Sequence, residues 1–238
     1  MVNLKDRNIL IVAPHPDDEI IGCGGLIKRS QALGAKIHVL FLTVGTSQDY
    51  SSQGLSNESE RRNEAENVAG SLGFSSWAFA LPGDEFHLQL DQTPQREIIN
   101  HIEKHPEVSL EATEPDIFIF PSVTDYNQDH RAASHAAFAA VRPNLRHHKH
   151  VPDLIMTYET PMDWWSQPPA TRQPDLFVSL SESDLEAKVD AMHGYKSQVR
   201  EHGHPRNQIS LRALAALRGS TIGEPYAEGY YVHKFRLA

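Results

Sequence analysis

Ile9-Leu10-Ile11-Val12-Ala13-Pro14-His15-Pro16-Asp17-Asp18-Glu19-Ile20-Ile21-Gly22-Cys23-Gly24-Gly25 is the stretch from which the rest of the chain can be read. Its apolar, β-branched opening (residues 9–13) has the pattern of a strand buried on both faces, as in a parallel sheet. Pro14 and Pro16 end the strand, because each removes a ladder donor and fixes the turn. His15, Asp17, Asp18 and Glu19 crowd onto that turn. Three carboxylates and an imidazole at the end of a buried strand repel one another unless a cation neutralises them. Helix capping explains one of the two aspartates, since Asp suits a helix start. It leaves His15 and the paired prolines unexplained. A metal site is the economical reading.

Working outward, strand and helix patterns alternate. The spacing predicts a helix over 18–33 closed by Gly34, a second buried strand over 36–43 and a helix running from Ser56 or Asn57 to residue 72. A third strand is expected over 77–81, a helix from Thr93 or Pro94 to about residue 104, a fourth strand over 116–121 and an alanine-rich helix over 130–141. The polar stretch 44–56 reads as a long loop, of the kind that is functional or disordered in a compact domain. Strands over 153–158, 175–180 and 230–235, with helices over 181–197 and 207–218, complete the chain. The βαβαβαβ order implies an α/β, Rossmann-like fold: a doubly wound, mostly parallel sheet with helices on both faces. No repeat, low-complexity tract or linker interrupts it, so one domain over 1–238 is expected.

In a doubly wound sheet of order 3-2-1-4-5, the first and fourth strands are neighbours. The ligand crevice lies at their carboxyl ends, where the winding reverses. The segment after the fourth strand is Pro121-Ser122-Val123-Thr124-Asp125-Tyr126-Asn127-Gln128-Asp129-His130-Arg131. A second polar loop bearing His and Asp therefore faces His15 and Asp18, which places the metal site at the carboxyl ends of strands 1 and 4.

Composition narrows the function classes. Net charge is −9, from 22 Lys and Arg against 31 Asp and Glu, so there is no basic footprint for nucleic acid. No run of about 18 apolar residues is present to span a membrane. Residues 1–7 carry no signal-peptide apolar core, and the single cysteine, Cys23, fits a reducing compartment, so a cytoplasmic location is expected. Cys23 lies among small glycines and reads as a packed residue rather than a nucleophile.

Pro14-His15-Pro16-Asp17-Asp18-Glu19 resembles the first motif, (A/P)-H-P-D-D-E, of the PIG-L/LmbE-like superfamily of metal-dependent N-deacetylases. Asn127-Gln128-Asp129-His130 resembles its second motif, H-x-D-H. The resemblance implies His15, Asp18 and His130 as zinc ligands, with ferrous iron fitting the same donors, and Asp17 as the general base. It sets Asp129 in the place of a carboxylate behind a ligand. Asn127 stands where the family has a histidine that polarises the scissile carbonyl. An amide can donate a hydrogen bond to an oxyanion, but it cannot carry a proton or a positive charge. If Asn127 does not do this work, His87, His193 or His233 is the expected electrophilic partner. Two nitrogens and one oxygen leave a coordination position open, the catalytic rather than the structural pattern. The implied activity is removal of an acetyl group from an N-acetylated amino sugar or sugar conjugate. An amidase acting on a larger acyl group uses the same chemistry, and a metal- or nucleotide-binding module without turnover is the alternative from another class. Gly22-Cys23-Gly24-Gly25 supports the nucleotide reading only weakly, because its spacing is not G-x-G-x-x-G.

Other segments carry less. Arg61-x-x-Glu64-Ala65 followed by Leu72-Gly73 resembles a family helix, and Arg61 or Arg62 suits a sugar hydroxyl or phosphate, or else an exposed pair with Glu64. Asp84 suits a sugar hydroxyl or a plain turn. Arg146-His147-His148-Lys149-His150 and His202-Gly203-His204 read as solvated loops. Trp164-Trp165 suits either a sugar ring or the partner subunit of a homo-oligomer. Lys188…Tyr195-x-Ser197-Gln198 and Tyr226-Ala227-Glu228 resemble further family segments whose roles the sequence does not supply.

Overall fold

A computed structural model describes residues 4–49, 54–145, 147–163 and 173–236. Trp164, Trp165 and Arg146 lie outside the described residues. In chain order the elements are β1 (Asn8–Ala13), α1 (Asp18–Ala32), β2 (Lys36–Val44), β3 (Ser47–Gln48), β4 (Leu55–Ser56), α2 (Glu58–Leu72), β5 (Ser76–Pro82), α3 (Gln95–Lys104), α4 (Leu110–Thr113), β6 (Ile117–Phe120), α5 (Gln128–Ala140), β7 (Leu154–Tyr158), β8 (Leu176–Leu180), α6 (Glu182–Gly194), α7 (Gln208–Ser220) and β9 (Tyr226–Phe235).

Among the described residues, seven strands form one sheet in the order β5-β2-β1-β6-β7-β9-β8. The first five run parallel, in the 3-2-1-4-5 arrangement expected from the alternation of elements. β9 is antiparallel to both β7 and β8. Its start at Tyr226, earlier than expected, follows from pairing with β8 from Leu180↔Tyr226 onward. Within the 44–56 stretch a short antiparallel hairpin, β3–β4, replaces the expected unbroken loop. Strands of two residues are too short to leave a period in the sequence.

β1 shows why the sheet is covered on both sides. Ile9, Ile11 and Ala13 pack into one cluster with Ile20, Leu26 and Ile27 of α1, Ala65 and Val68 of α2, and Met192 of α6. Leu10 and Val12 pack into another with Ile98 and Ile102 of α3 and Ala133, Ala136 and Ala137 of α5. Alternate residues of a strand point to opposite faces, so an all-apolar run has a helical layer to fill on each side. Each fully buried Ile or Leu contributes about 1.5–3 kcal/mol.

α1 carries half of the site, and its seat is tight. A Cβ on Gly22 would overlap the Tyr158 ring, and one on Gly25 would overlap Leu180. These glycines are close-approach positions in helix packing rather than a phosphate loop, which removes the basis of the nucleotide reading. Buried Glu228 of β9 accepts from Gly25 N at 2.9 Å and Leu26 N at 2.7 Å. Lys188 neutralises that carboxylate at 2.7 Å and also donates to Ile21 O at 2.8 Å. A carboxylate placed so deeply is tolerated because it is paired with a cation and held by backbone donors. The Lys188 and Tyr226-Ala227-Glu228 segments thus acquire a role: they lock α1 to the sheet.

Candidate metal centre

The turn between β1 and α1 and the loop between β6 and α5 meet at the carboxyl ends of adjacent strands. His15, Asp18 and His130 offer ligand atoms that all lie within 4.8 Å of one another, and all three residues are buried. His15 Nδ1 lies 3.3 Å from Asp18 Oδ2, and His130 Nε2 lies 3.1 Å from the same oxygen. The other ring nitrogens are engaged from behind: His15 Nε2 pairs with Asp129 Oδ2 at 2.9 Å, and His130 Nδ1 pairs with Asp125 Oδ2 at 2.8 Å. A carboxylate behind each imidazole fixes ring orientation and tautomer, the support that metal-binding histidines use. Asp129 also accepts from Leu90 N at 3.0 Å, so its place is set by two elements.

The donor set fits a cation. Asp18 Oδ1 and His130 Nε2 are buried side-chain atoms with no hydrogen-bond partner. The 3.1 Å approach of His130 Nε2 to Asp18 lacks hydrogen-bond direction, so both atoms remain open to a third group. Burial opposes ionisation of Asp18, yet His130 and His15 beside it hold its carboxyl well below the usual range. His130 is pushed well above the ordinary imidazole value: burial opposes the charged ring, but Asp18 and Asp125 outweigh it. A divalent ion is a partner of the right chemistry for polar groups that face one another in a dry pocket.

Asp17 stands at the rim of the cluster in an unusual state. Its φ is 115°, in the region that disfavours side chains. As N-cap of α1 it makes no side-chain cap hydrogen bond, and both its carboxyl oxygens are buried without a hydrogen-bond partner. The capping explanation for this aspartate therefore fails. Burial raises its pKa to about 6, against the lowering effect of Arg206, whose Nη1 lies 3.5 Å from Asp17 Oδ2.

The remaining sequence candidates fall around this centre. Asn127 is the N-cap of α5, its Oδ1 accepting from Asp129 N at 2.9 Å, which leaves its Nδ2 as the amide's outward donor. Arg61 is buried at 2% exposure, so the exposed pair with Glu64 does not form. Arg61 Nη1 instead donates to Gly45 O at 3.0 Å and to His87 Nε2 at 2.6 Å. Because Arg only donates, His87 Nε2 accepts and the ring carries its proton on Nδ1, toward Thr43 Oγ1 at 3.3 Å. Asp84 accepts from Thr46 N at 2.5 Å and from Thr46 Oγ1 at 3.1 Å, tying the β5 loop to the end of β2. Of the three alternative histidines, His87 lies in the site, edge-on to His15 with ring centroids 5.1 Å apart. Burial drives its pKa down to about 2, so it stays neutral. His193 and His233 are exposed. They lie at the end of α6 and on β9 against Phe138.

Sequence reasoning missed Asp125 and Arg206 as parts of the site, and it placed Glu19 and Tyr195 in motifs without giving either a role. Asp125 lies in the quoted loop and had the signal of a carboxylate five residues before His130. Arg206 carries no local pattern that marks it as a support. A cleft of about 550 Å³, lined by Tyr126, Pro161, Met162, Arg200, His204 and Arg206, opens beside Asp17. A second cavity of about 490 Å³ lies among Glu103, Arg142 and the His147–Lys149 loop, at the opposite ends of the strands.

Fold and centre together define a doubly wound α/β protein with a buried His/Asp/His cluster at the switch point of its sheet. The chain belongs to the PIG-L family, described as GlcNAc-PI de-N-acetylase, whose pattern matches residues 10–141. It is 27% identical over 232 residues to the diacetylchitobiose deacetylase of Thermococcus kodakarensis, covering 94% of this chain and 82% of that one. Among solved structures, the N,N'-diacetylchitobiose deacetylase of Pyrococcus horikoshii superposes with a TM-score of 0.70 at 22% identity, over 95% of this chain and 83% of that one. GalB of Pseudomonas putida, a 4-carboxy-2-hydroxymuconate hydratase, superposes with a TM-score of 0.73 at 22% identity, over 98% of each chain. These superpositions establish the fold. Function has to be argued from the site.

Proposed function

We propose that the chain is a metal-dependent amide hydrolase removing the acetyl group from an N-acetylated amino sugar or sugar conjugate, with zinc at His15, Asp18 and His130. The observation that carries this reading is the convergence of those three buried side chains, two with orphaned polar atoms, beside a buried carboxylate free of hydrogen bonds. Family membership and the deacetylase relative support the acyl–nitrogen bond as the target.

A bound zinc or ferrous ion supplies Lewis acidity at water and at the amide oxygen. The chain's own residues supply the rest. Asp17, not a member of the donor set, is the general base for the attacking water, and its raised pKa of about 6 suits proton exchange near neutrality. Asp129 and Asp125 hold the two imidazoles in the tautomers that present a lone pair to the metal. Asn127 offers its amide Nδ2 to the carbonyl oxygen as a neutral donor. Arg61 and Asp84 act on the substrate indirectly, by shaping the Gly45–Thr46 turn that walls the centre. The sugar lies in the cleft between Tyr126 and Arg206. The whole of 1–238 works as one catalytic unit.

The test is acetate release by zinc-loaded protein from free, nucleotide-linked and lipid-linked N-acetylhexosamines and from diacetylchitobiose. Release from at least one supports the reading. Silence across the set, or turnover of an unsaturated acid by hydration instead, refutes it.

A further inference from the structure

Asp17 is poorly held by its own neighbours. Its backbone is in a conformation that side chains disfavour, and neither carboxyl oxygen accepts a hydrogen bond. A base in that state needs support from outside its turn, and two contacts supply it.

The first reaches the peptide. Asp17 N donates to Glu19 Oε2 at 3.2 Å, and Glu19 Oε1 accepts from Tyr195 Oη at 2.5 Å. Tyr195 is fully buried at the end of α6, so the Glu19 carboxyl is clamped between a rigid phenol and the strained peptide. The second reaches the carboxyl group. Arg206 Nη1 lies 3.5 Å from Asp17 Oδ2, and the same nitrogen donates to Gln198 Oε1 at 2.7 Å. Gln198 is in turn fixed by Ser197 Oγ at 3.0 Å, and Ser197 donates to Glu64 of α2 from its N at 2.9 Å and its Oγ at 2.6 Å. Tyr195, Ser197 and Gln198 belong to one turn after α6, closed by Gln198 N on Tyr195 O at 2.8 Å. One short segment thus grips the aspartate at both ends.

We propose that residues 195–206 form a two-point positioning device for Asp17, Tyr195 acting through Glu19 on its peptide and Gln198 acting through Arg206 on its carboxylate. The proposal rests on Asp17 being the general base. It assigns a role to the Tyr195-x-Ser197-Gln198 and Arg61-x-x-Glu64 segments that folding alone does not require. Tyr195 and Gln198 are positioning residues, since neither touches the reacting atoms.

The experiment is a pair of double-mutant cycles on the zinc-loaded full chain, Tyr195→Phe and Gln198→Met each made alone and with Asp17→Asn. Zinc content and thermal midpoint are recorded for every variant. Misplacing a base typically costs on the order of 10- to 100-fold, so each single variant should lower kcat by that factor with KM and zinc content held. In the Asp17→Asn background the same changes should cost less than about 2-fold, because coupled residues do not add. Equal losses in both backgrounds, or losses confined to KM or the midpoint, overturn the device. Full turnover by Asp17→Asn alone overturns instead the base assignment beneath it. The two arms run through different side chains, so a Tyr195→Phe variant too unstable to assay leaves the Gln198 arm to decide.

Discussion

His130 and His15 each present one nitrogen to Asp18 and the other to a second aspartate, an arrangement that serves an ion better than it serves a hydrogen-bond network. Removing the support behind a ligand typically costs 10–100-fold in metal affinity. Asp125→Ala should therefore weaken zinc binding by about that factor while leaving all three donors in place. Isothermal titration checks it, and an unchanged affinity would show that Asp125 does not orient His130. Asn127 raises a separate question, because its oxygen already caps α5. Asn127→His gives up that cap at about 1 kcal/mol of stability but restores a group able to carry charge at the carbonyl. Turnover should rise, or the basic limb of the pH–rate profile should gain an ionisation. If both stay flat, neutral His87, edge-on to His15, becomes the group to mutate next. The convergence of His15, Asp18 and His130 was legible in the sequence because these residues sit in two compact segments. Asp125 was legible too, five residues before His130, whereas the parts played by Arg206 and Tyr195 were not, because what recruits them is tertiary contact. Arg61 misled for a related reason: Glu64 three residues on resembles a surface partner, yet it binds Ser197 while Arg61 turns inward.

At the scale of elements, α1 delivers Asp18 to the centre, so its fit against the sheet governs the site. Gly22→Ala would drive a methyl group into Tyr158, and overpacking of this kind costs about 1–3 kcal/mol. For a chain of this length each kcal/mol lowers the thermal midpoint by about 2–4 °C. A Gly22→Ala variant melting with the wild type would mean that α1 does not sit where its contacts with β7 place it. The five parallel strands could be ordered from sequence because fully apolar runs alternate with helical patterns. β3, β4 and α4 could not, since two to four residues hold no period. The early start of β9 depends on its partner β8, a non-local choice.

Across the whole molecule, several histidines are held neutral by burial. His38, His101 and His105 all have pKa values lowered from 6.5, with burial the leading cause. The unfolded chain takes up these protons near pH 6.5 while the folded chain resists them. Stability is therefore fully present above about pH 6.5 and is lost as pH falls toward the lowered folded values. The contribution of these three groups to the thermal midpoint should fall between about pH 7.5 and about pH 5.5, against the opposite pull of Asp17 and His130, whose raised values favour the folded state as pH falls. A His38→Gln, His101→Gln double variant should therefore gain midpoint relative to the wild type as pH falls through that range. A difference from the wild type that does not change with pH would show that these two rings are not held back from protonation by the fold.

Whether the buried cluster works as a catalytic metal centre is tested most directly by a zinc titration of metal-stripped protein, with acetate release from an N-acetylated amino sugar followed at each addition. Activity should rise to a plateau at one zinc per chain, and His130→Ala should show none at any stage. Acetate release without metal, or a His130→Ala protein that responds to zinc as the wild type does, would contradict it.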